Sequence, residues 1–179
     1  MKQVETEPNI SRRHFIKLAA GTAAVVGLHQ VAVPSQAFSL DKLSLKTLDK
    51  ARIEREIRLL REAKHSCSQA TFVGICKALG SGLPEETLLA LSSGFAGGIG
   101  KTFDDGTCGA LVGGVMALGC YHPSQNDESV ALANNLFERF KTQENTVICK
   151  DILKRYNGFS HCTDCCLFVG GALADILRT

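Results

Sequence analysis

Apolar residues recur at helical spacing through most of the chain. Between Leu48 and Lys64, Ile53, Ile57 and Leu60 fall at i, i+4 and i+7, with Arg and Glu on the opposite side. That period predicts an amphipathic helix with Thr47 as N-cap. Its dense charge reads as a solvated face carrying i,i+4 pairs such as Glu54–Arg58. Ser66 then caps a second helix from Cys67 to about Leu79, stopped by Gly80 or Gly82. Pro84, Glu85 and Glu86 belong in the first turn of a third, whose buried side is expected to be Leu88, Leu89 and Leu91. Further helical patterns run from Cys108 to Cys120, through "ESVALANNLFERFKTQ" with Val130, Ala133, Leu136, Phe137 and Phe140 apolar, through "VICKDILKRY", and along "CTDCCLFVGGALADIL". No alternating strand pattern and no repeat interrupts them. The pattern predicts an all-α fold, about six helices in a single compact domain.

Glycine changes this picture in two places. "SGFAGGIG", followed by the Asp105–Gly106 turn, lacks the Lys-Ser/Thr ending of a phosphate loop and has no strand before it. Its glycines are expected to permit close backbone approach or a positive φ. The helix from Cys108 to Cys120 carries Gly109, Gly113, Gly114 and Gly119. Glycine weakens an exposed helix, so these residues point to close helix contacts.

The N-terminus reads as an address. "SRRHFIK" precedes an apolar run from Leu18 to Leu28, and small residues close the segment at Ser35 and Ala37. The run is too short to span a bilayer comfortably. Paired Arg12 and Arg13, with Phe15 and Lys17 after them, resemble a twin-arginine export signal. Residues 1–37 are therefore expected to be a signal, 38–47 an extended lead-in and 48–179 the helical domain. The protein is expected in the periplasm or another extracytoplasmic space, without a stable membrane span once the signal is cleaved. The signal holds four of the chain's twenty basic residues and two of its eighteen acidic ones, so the formal net charge of +2 vanishes with it. Neutral charge, no Trp and two Tyr give no footprint for nucleic acid.

Cysteine is the outlier, with eight residues. Twin-arginine cargo crosses the membrane already folded, which favours a cofactor over a disulfide scaffold. Cys67 and Cys108 each follow a capping residue at a predicted helix start, where unpaired N–H groups favour a thiolate. Cys162 and Cys165 form C-x-x-C spacing that suits a metal chelate or a redox pair. Cys76 and Cys120, within or at the end of apolar helices, read as small packing residues. His65 and His161 stand beside cysteines, and His122 stands apart; each reads as an ordinary histidine unless a metal recruits it. No C-x-x-C-H is present, so covalent haem is not expected, and no spacing matches a ferredoxin run.

Together these residues resemble a family of small bacterial and archaeal proteins described as redox-active and named for four cysteines spaced around a C-G-A-x-x-G element. Cys67 in "CSQATFVGICKALG", the loop "SGFAGGIG", Cys108 in "TCGALVGGVMALG", Cys149 in "CKDIL" and Cys165 in "CCLFVGGALADIL" carry the resemblance. The same module is similar to the cluster-bearing part of split-Soret cytochrome c, an exported helical homodimer. The resemblance implies an iron–sulfur cluster, expected as 2Fe–2S, on Cys67, Cys108, Cys149 and Cys165, with Cys162 and Cys166 as alternates for the last. It implies electron transfer with a redox partner protein, and it is compatible with a homodimer. No acid–base pair or nucleophile triad suggests an enzyme with its own organic substrate. A metal-free thiol–disulfide protein, a structural zinc site and a disulfide scaffold remain as alternatives.

Overall fold

The computed structural model describes residues 49–121 and 126–178. The expected signal, the lead-in and His122 lie outside them. Seven α-helices form among the described residues: α1 Lys50–Glu62, α2 Cys67–Leu79, α3 Glu85–Ser92, α4 Gly109–Tyr121, α5 Asn126–Glu144, α6 Cys149–Arg155 and α7 Cys162–Ile176. A single 3-10 turn, Ser93–Phe95, follows α3. The β-type pairing among the described residues is one isolated antiparallel bridge between Thr107 and Ile148. The all-α expectation holds, with one helix more than the count of six.

Local chemistry explains most of the boundaries. Asp49 caps α1, its carboxylate accepting from the Ala51 N–H at 3.0 Å; the cap is two residues later than the expected Thr47. Ser66 opens α2 with a full capping box, in which Gln69 reaches back to the Ser66 N–H. Gly80 closes α2 in the left-handed conformation at φ 70°. Pro84 stands as N-cap of α3, one position before the first turn expected for it.

α2 is the centre of the bundle. It packs against α1, α3, α4 and α7, and α7 in turn packs against α1, α4 and α5. Ile53, Ile57 and Leu60 are the buried face of α1, as the period predicts. Each contributes roughly 1.5–3 kcal/mol by leaving water. Phe72 from α2, Leu111 and Leu118 from α4, Leu136 and Phe140 from α5, and Val169 and Leu173 from α7 complete the same core.

Two apolar expectations fail. Leu91 is 55% exposed and Val130 67% exposed. In α3 the inward positions are Leu88 and Ser92, one turn apart, and the Ser92 hydroxyl donates to the Leu88 carbonyl at 2.8 Å. Leu91 is rotated off that line. Val130 lies on the first half of α5, before Leu136, Phe140 and Glu144 turn inward.

The glycines of α4 divide by function. A Cβ on Gly113 would lie 2.7 Å from the Ser68 carbonyl oxygen and 3.1 Å from the Phe72 nitrogen. A Cβ on Gly109 would lie 2.6 Å from Cys67 Sγ. α2 and α4 therefore run parallel in close register, backbone against backbone. Gly119 has nothing within 4 Å of its Cβ position and takes no part in this seam.

Candidate metal centre

Four elements bring their N-terminal ends to one place. Cys67 is the first residue of α2, Cys149 of α6 and Cys162 of α7, while Cys108 immediately precedes α4. Cys165 and Cys166 follow in the next turn of α7. Two backbone bonds fix Cys108 beside Cys149: the Cys108 N–H donates to the Val147 carbonyl at 2.7 Å, and the Cys149 N–H to the Gly106 carbonyl at 2.9 Å. They flank the Thr107–Ile148 bridge. The short pairing thus joins two cysteines that are remote in sequence.

The glycine loop wraps the same end. Gly97, Gly98 and Gly100 all have positive φ, as expected for a chain that must turn tightly. Gly98 lies against Gly106, where a Cβ would meet the Gly98 Cα at 2.8 Å. Beside this contact, the Gly97 N–H points to the Cys67 sulfur. The Ser68 N–H points to the same sulfur, and the Ala110 and Leu111 N–H groups point to Cys108. Two thiols therefore sit where exposed helix-start donors favour negative charge.

The thiols interact with one another. Cys67 feels the charge of Cys108, and Cys149 and Cys162 feel both. Cys165 contacts the Cys108 thiol, and the Cys166 thiol faces the Cys67 carbonyl at 3.6 Å. Donation from Cys165 holds Cys108 below the ordinary thiol range, helped by its two N–H donors. Contact with Cys108 drives Cys165 upward, and the Glu144 carboxylate adds to this. Burial raises Cys67, despite its place at a helix start, because desolvation outweighs its donors. Burial also pushes Cys149 up to about 12 and Cys162 up to about 11. Crowded, desolvated thiols repel further negative charge, and a cation among them would relieve that repulsion.

Cys67, Cys149 and Cys162 open into a cavity of about 370 Å³. Arg61, Lys64, Lys101, Phe103 and Phe159 are among its other lining residues, and Phe103 packs edge-on against Phe159 with centroids 5.2 Å apart. Cys108, Cys165 and Cys166 are buried behind. Arg61 donates to the His65 carbonyl at 2.7 Å and to the Thr163 hydroxyl at 3.3 Å. Its charge lowers the proton affinity of Cys67, Cys162 and Cys166.

Two residues absent from the sequence reading belong to this site. Arg61 looked like one of many surface charges on α1. Glu144 looked like the polar end of α5, yet it is 1% exposed and meets His161 Nε2 at 3.0 Å. His161 also meets the Asp164 carboxylate at 3.2 Å and stacks on Tyr156. Ligand atoms of Glu144, His161 and Cys165 all lie within 4.8 Å of one another, a group that could hold a metal ion. The only sequence signal for Glu144 is its helical phase, four residues after Phe140. His65 borders the cavity. Cys76 and Cys120 lie on α2 and α4 away from these helix starts.

The donor chemistry fits a thiophilic centre. Several thiols, N–H groups aimed at sulfur and one guanidinium suit a soft metal better than a hard cation. Among the described residues no helix is long and apolar enough to cross a membrane. Residues 65–177 match the family described as "Putative redox-active protein (C_GCAxxG_C_C)". Residues 9–29 match the twin-arginine translocation signal, which marks export across the cytoplasmic membrane. No curated protein and no solved structure matches the chain. With more than half its length inside that match, the chain belongs to the C_GCAxxG_C_C family of cysteine-rich, redox-active proteins.

Proposed function

We propose that this exported protein is a one-electron carrier whose thiols hold an iron–sulfur cluster, of the 2Fe–2S type. Cys67, Cys108, Cys149 and Cys165 are the ligands in this reading. Cys162, one turn before Cys165 and open to the cavity, is the first alternate, and Cys166 the second. The carrying observation is the convergence of six cysteines from four segments at one end of the bundle. When bound, such a cluster takes up and releases single electrons. The protein's own groups do the rest. N–H donors from Gly97, Ser68, Ala110 and Leu111 stabilise negative charge on sulfur. Arg61 offsets that charge from the cavity wall. Phe103 and Phe159 border the opening, where a redox partner protein would approach.

The test is anaerobic purification followed by visible spectroscopy and assay of iron, zinc and acid-labile sulfide. A brown protein with iron and sulfide is expected. Cys67→Ser, Cys108→Ser and Cys149→Ser should each lose the colour, and comparison of Cys162→Ser with Cys165→Ser identifies the fourth ligand. A colourless, iron-free protein overturns the reading.

One observation favours a second reading. The Cys108–Cys165 contact, with Cys108 as the more acidic thiol, is also what a metal-free dithiol needs. In that case the anaerobic protein is colourless, and mild oxidation should join Cys108 to Cys165. Zinc without sulfide would instead point to the Glu144, His161 and Cys165 group as a structural site.

A further inference from the structure

The parallel seam between α2 and α4 has a second end. Cys67 and Cys108 occupy the end where the candidate centre lies. Nine residues along α2, about 13 Å by helical rise, Cys76 meets Cys120 of α4, thiol against thiol. The register follows from the glycines: Gly109 stands over Cys67 and Ser68, and Gly113 over Ser68 and Phe72. One and two turns further on, α4 presents Ala117, Cys120 and Tyr121 to the last half of α2. Cys76 is fully buried, whereas Cys120 is partly open to solvent. Tyr121 Oη is buried without a hydrogen-bond partner of ordinary geometry, and it faces the Cys76 sulfur. Simple packing does not call for two facing thiols with a phenol directed at one of them.

We propose that Cys76 and Cys120 form a second redox site, a dithiol that closes to a disulfide across the α2–α4 seam by exchange with an organic disulfide of the exported compartment. Cys120 is the entry point, because it is reachable and the Cys76 thiol donates toward it, lowering its proton affinity. Its thiolate attacks one sulfur of the organic disulfide, the S–S bond breaks, and one thiol leaves after taking up a proton. Cys76 then gives up its proton and attacks the Cys120 sulfur, expelling the second thiol. Two protein S–H bonds and one external S–S bond become one protein S–S bond and two external S–H bonds. Two electrons pass from the pair to the organic disulfide. The site needs no metal and stands apart from the one-electron reading above.

The experiment uses the full chain, purified anaerobically with whatever metal it holds, and treats it with glutathione disulfide. Peptide mapping by mass spectrometry without reduction should find Cys76 and Cys120 joined, with the loss of two hydrogens. Cys76→Ser should leave Cys120 as a lasting mixed disulfide with glutathione, and Cys120→Ser should abolish the reaction at Cys76. The joined form should melt several degrees higher than the reduced form, because a long loop is closed. Absence of the joined peptide while the other cysteines oxidise overturns the proposal, as does failure of Cys76→Ser to accumulate the mixed adduct. Mapping of the wild-type chain decides the matter even where a variant does not fold.

Discussion

Gly113→Ala tests the α2–α4 seam against ordinary helix propensity. On an isolated helix the change would stabilise by up to about 1 kcal/mol. In this fold the new methyl would lie 2.7 Å from the Ser68 carbonyl oxygen and 3.1 Å from the Phe72 nitrogen. Both are backbone atoms of the central helix, and neither can rotate aside. Overpacking of this kind costs about 1–3 kcal/mol, so with the propensity gain set against it the net effect should be a loss of up to about 2 kcal/mol. For a domain of this size that is a fall of up to about 8 °C in Tm. Gly119→Ala is the internal control: the same helix, the same change, and nothing within 4 Å. It should raise Tm by a few degrees or leave it unchanged. The assay is thermal unfolding by far-UV circular dichroism, with both variants in the same metal state as the parent. A Gly113→Ala protein as stable as Gly119→Ala would refute the close seam and the register built on it.

Glu144→Ala should destabilise by about 1–3 kcal/mol, because it removes a buried partner of His161; Glu144→Gln, which keeps a hydrogen-bonding group there, should lose less, and urea denaturation measures both. The Cys76 thiol holds Cys120 down at about 7, while Cys76 and Tyr121 are themselves shifted upward and stay protonated in that range. Alkylation requires the thiolate, so the rate at Cys120 should climb as pH rises through about 7 and fall below it. In Cys76→Ala that climb should move up toward the ordinary thiol value near 8.5; an unmoved profile contradicts the pairing. Arg61→Gln removes the positive charge that favours anionic Cys67, Cys162 and Cys166. Redox titration of the loaded protein should find its midpoint potential more negative, and a positive shift would count against a cluster at these thiols.

The helices were legible because their signals are local. Ser66 with Gln69, Gly80 after Leu79, and the Ile53–Ile57–Leu60 period each act within a few residues. Leu91 misled because an eight-residue helix has too few turns to fix its inward direction without its neighbours, and Val130 because it lies in the first turns of the long α5, before the stretch that meets the core. At the site, Cys67 and Cys108 could be placed at helix starts from their caps alone. Their proton affinities could not: burial decides Cys67, and contact with Cys165 decides Cys108. Glu144 and Arg61 carry no motif, since their roles come from residues far away in sequence, His161 and Thr163. Cys76 lies in the core and Cys120 packs against it, as read from their helices; that they face each other depends on α4 running parallel to α2 in that register, which nothing in either helix alone reveals.

The small bridge between Thr107 and Ile148 has a consequence for how an ion would be captured. Its flanking bonds tie the Cys108 and Cys149 backbones together through donors and acceptors that no ligand needs. The α4–α5 excursion between them is therefore closed during folding itself. With the ligand set proposed above, an incoming ion would find the Cys108 and Cys149 backbones already ordered and would have to recruit only the ends of α2 and α7. Uptake would then begin as a two-point contact at Cys108 and Cys149 and finish as the other helix ends settle. Amide exchange at Cys108 and Cys149 would already be slow in the metal-free protein, while the first turns of α2 and α7 would gain most of their protection on loading.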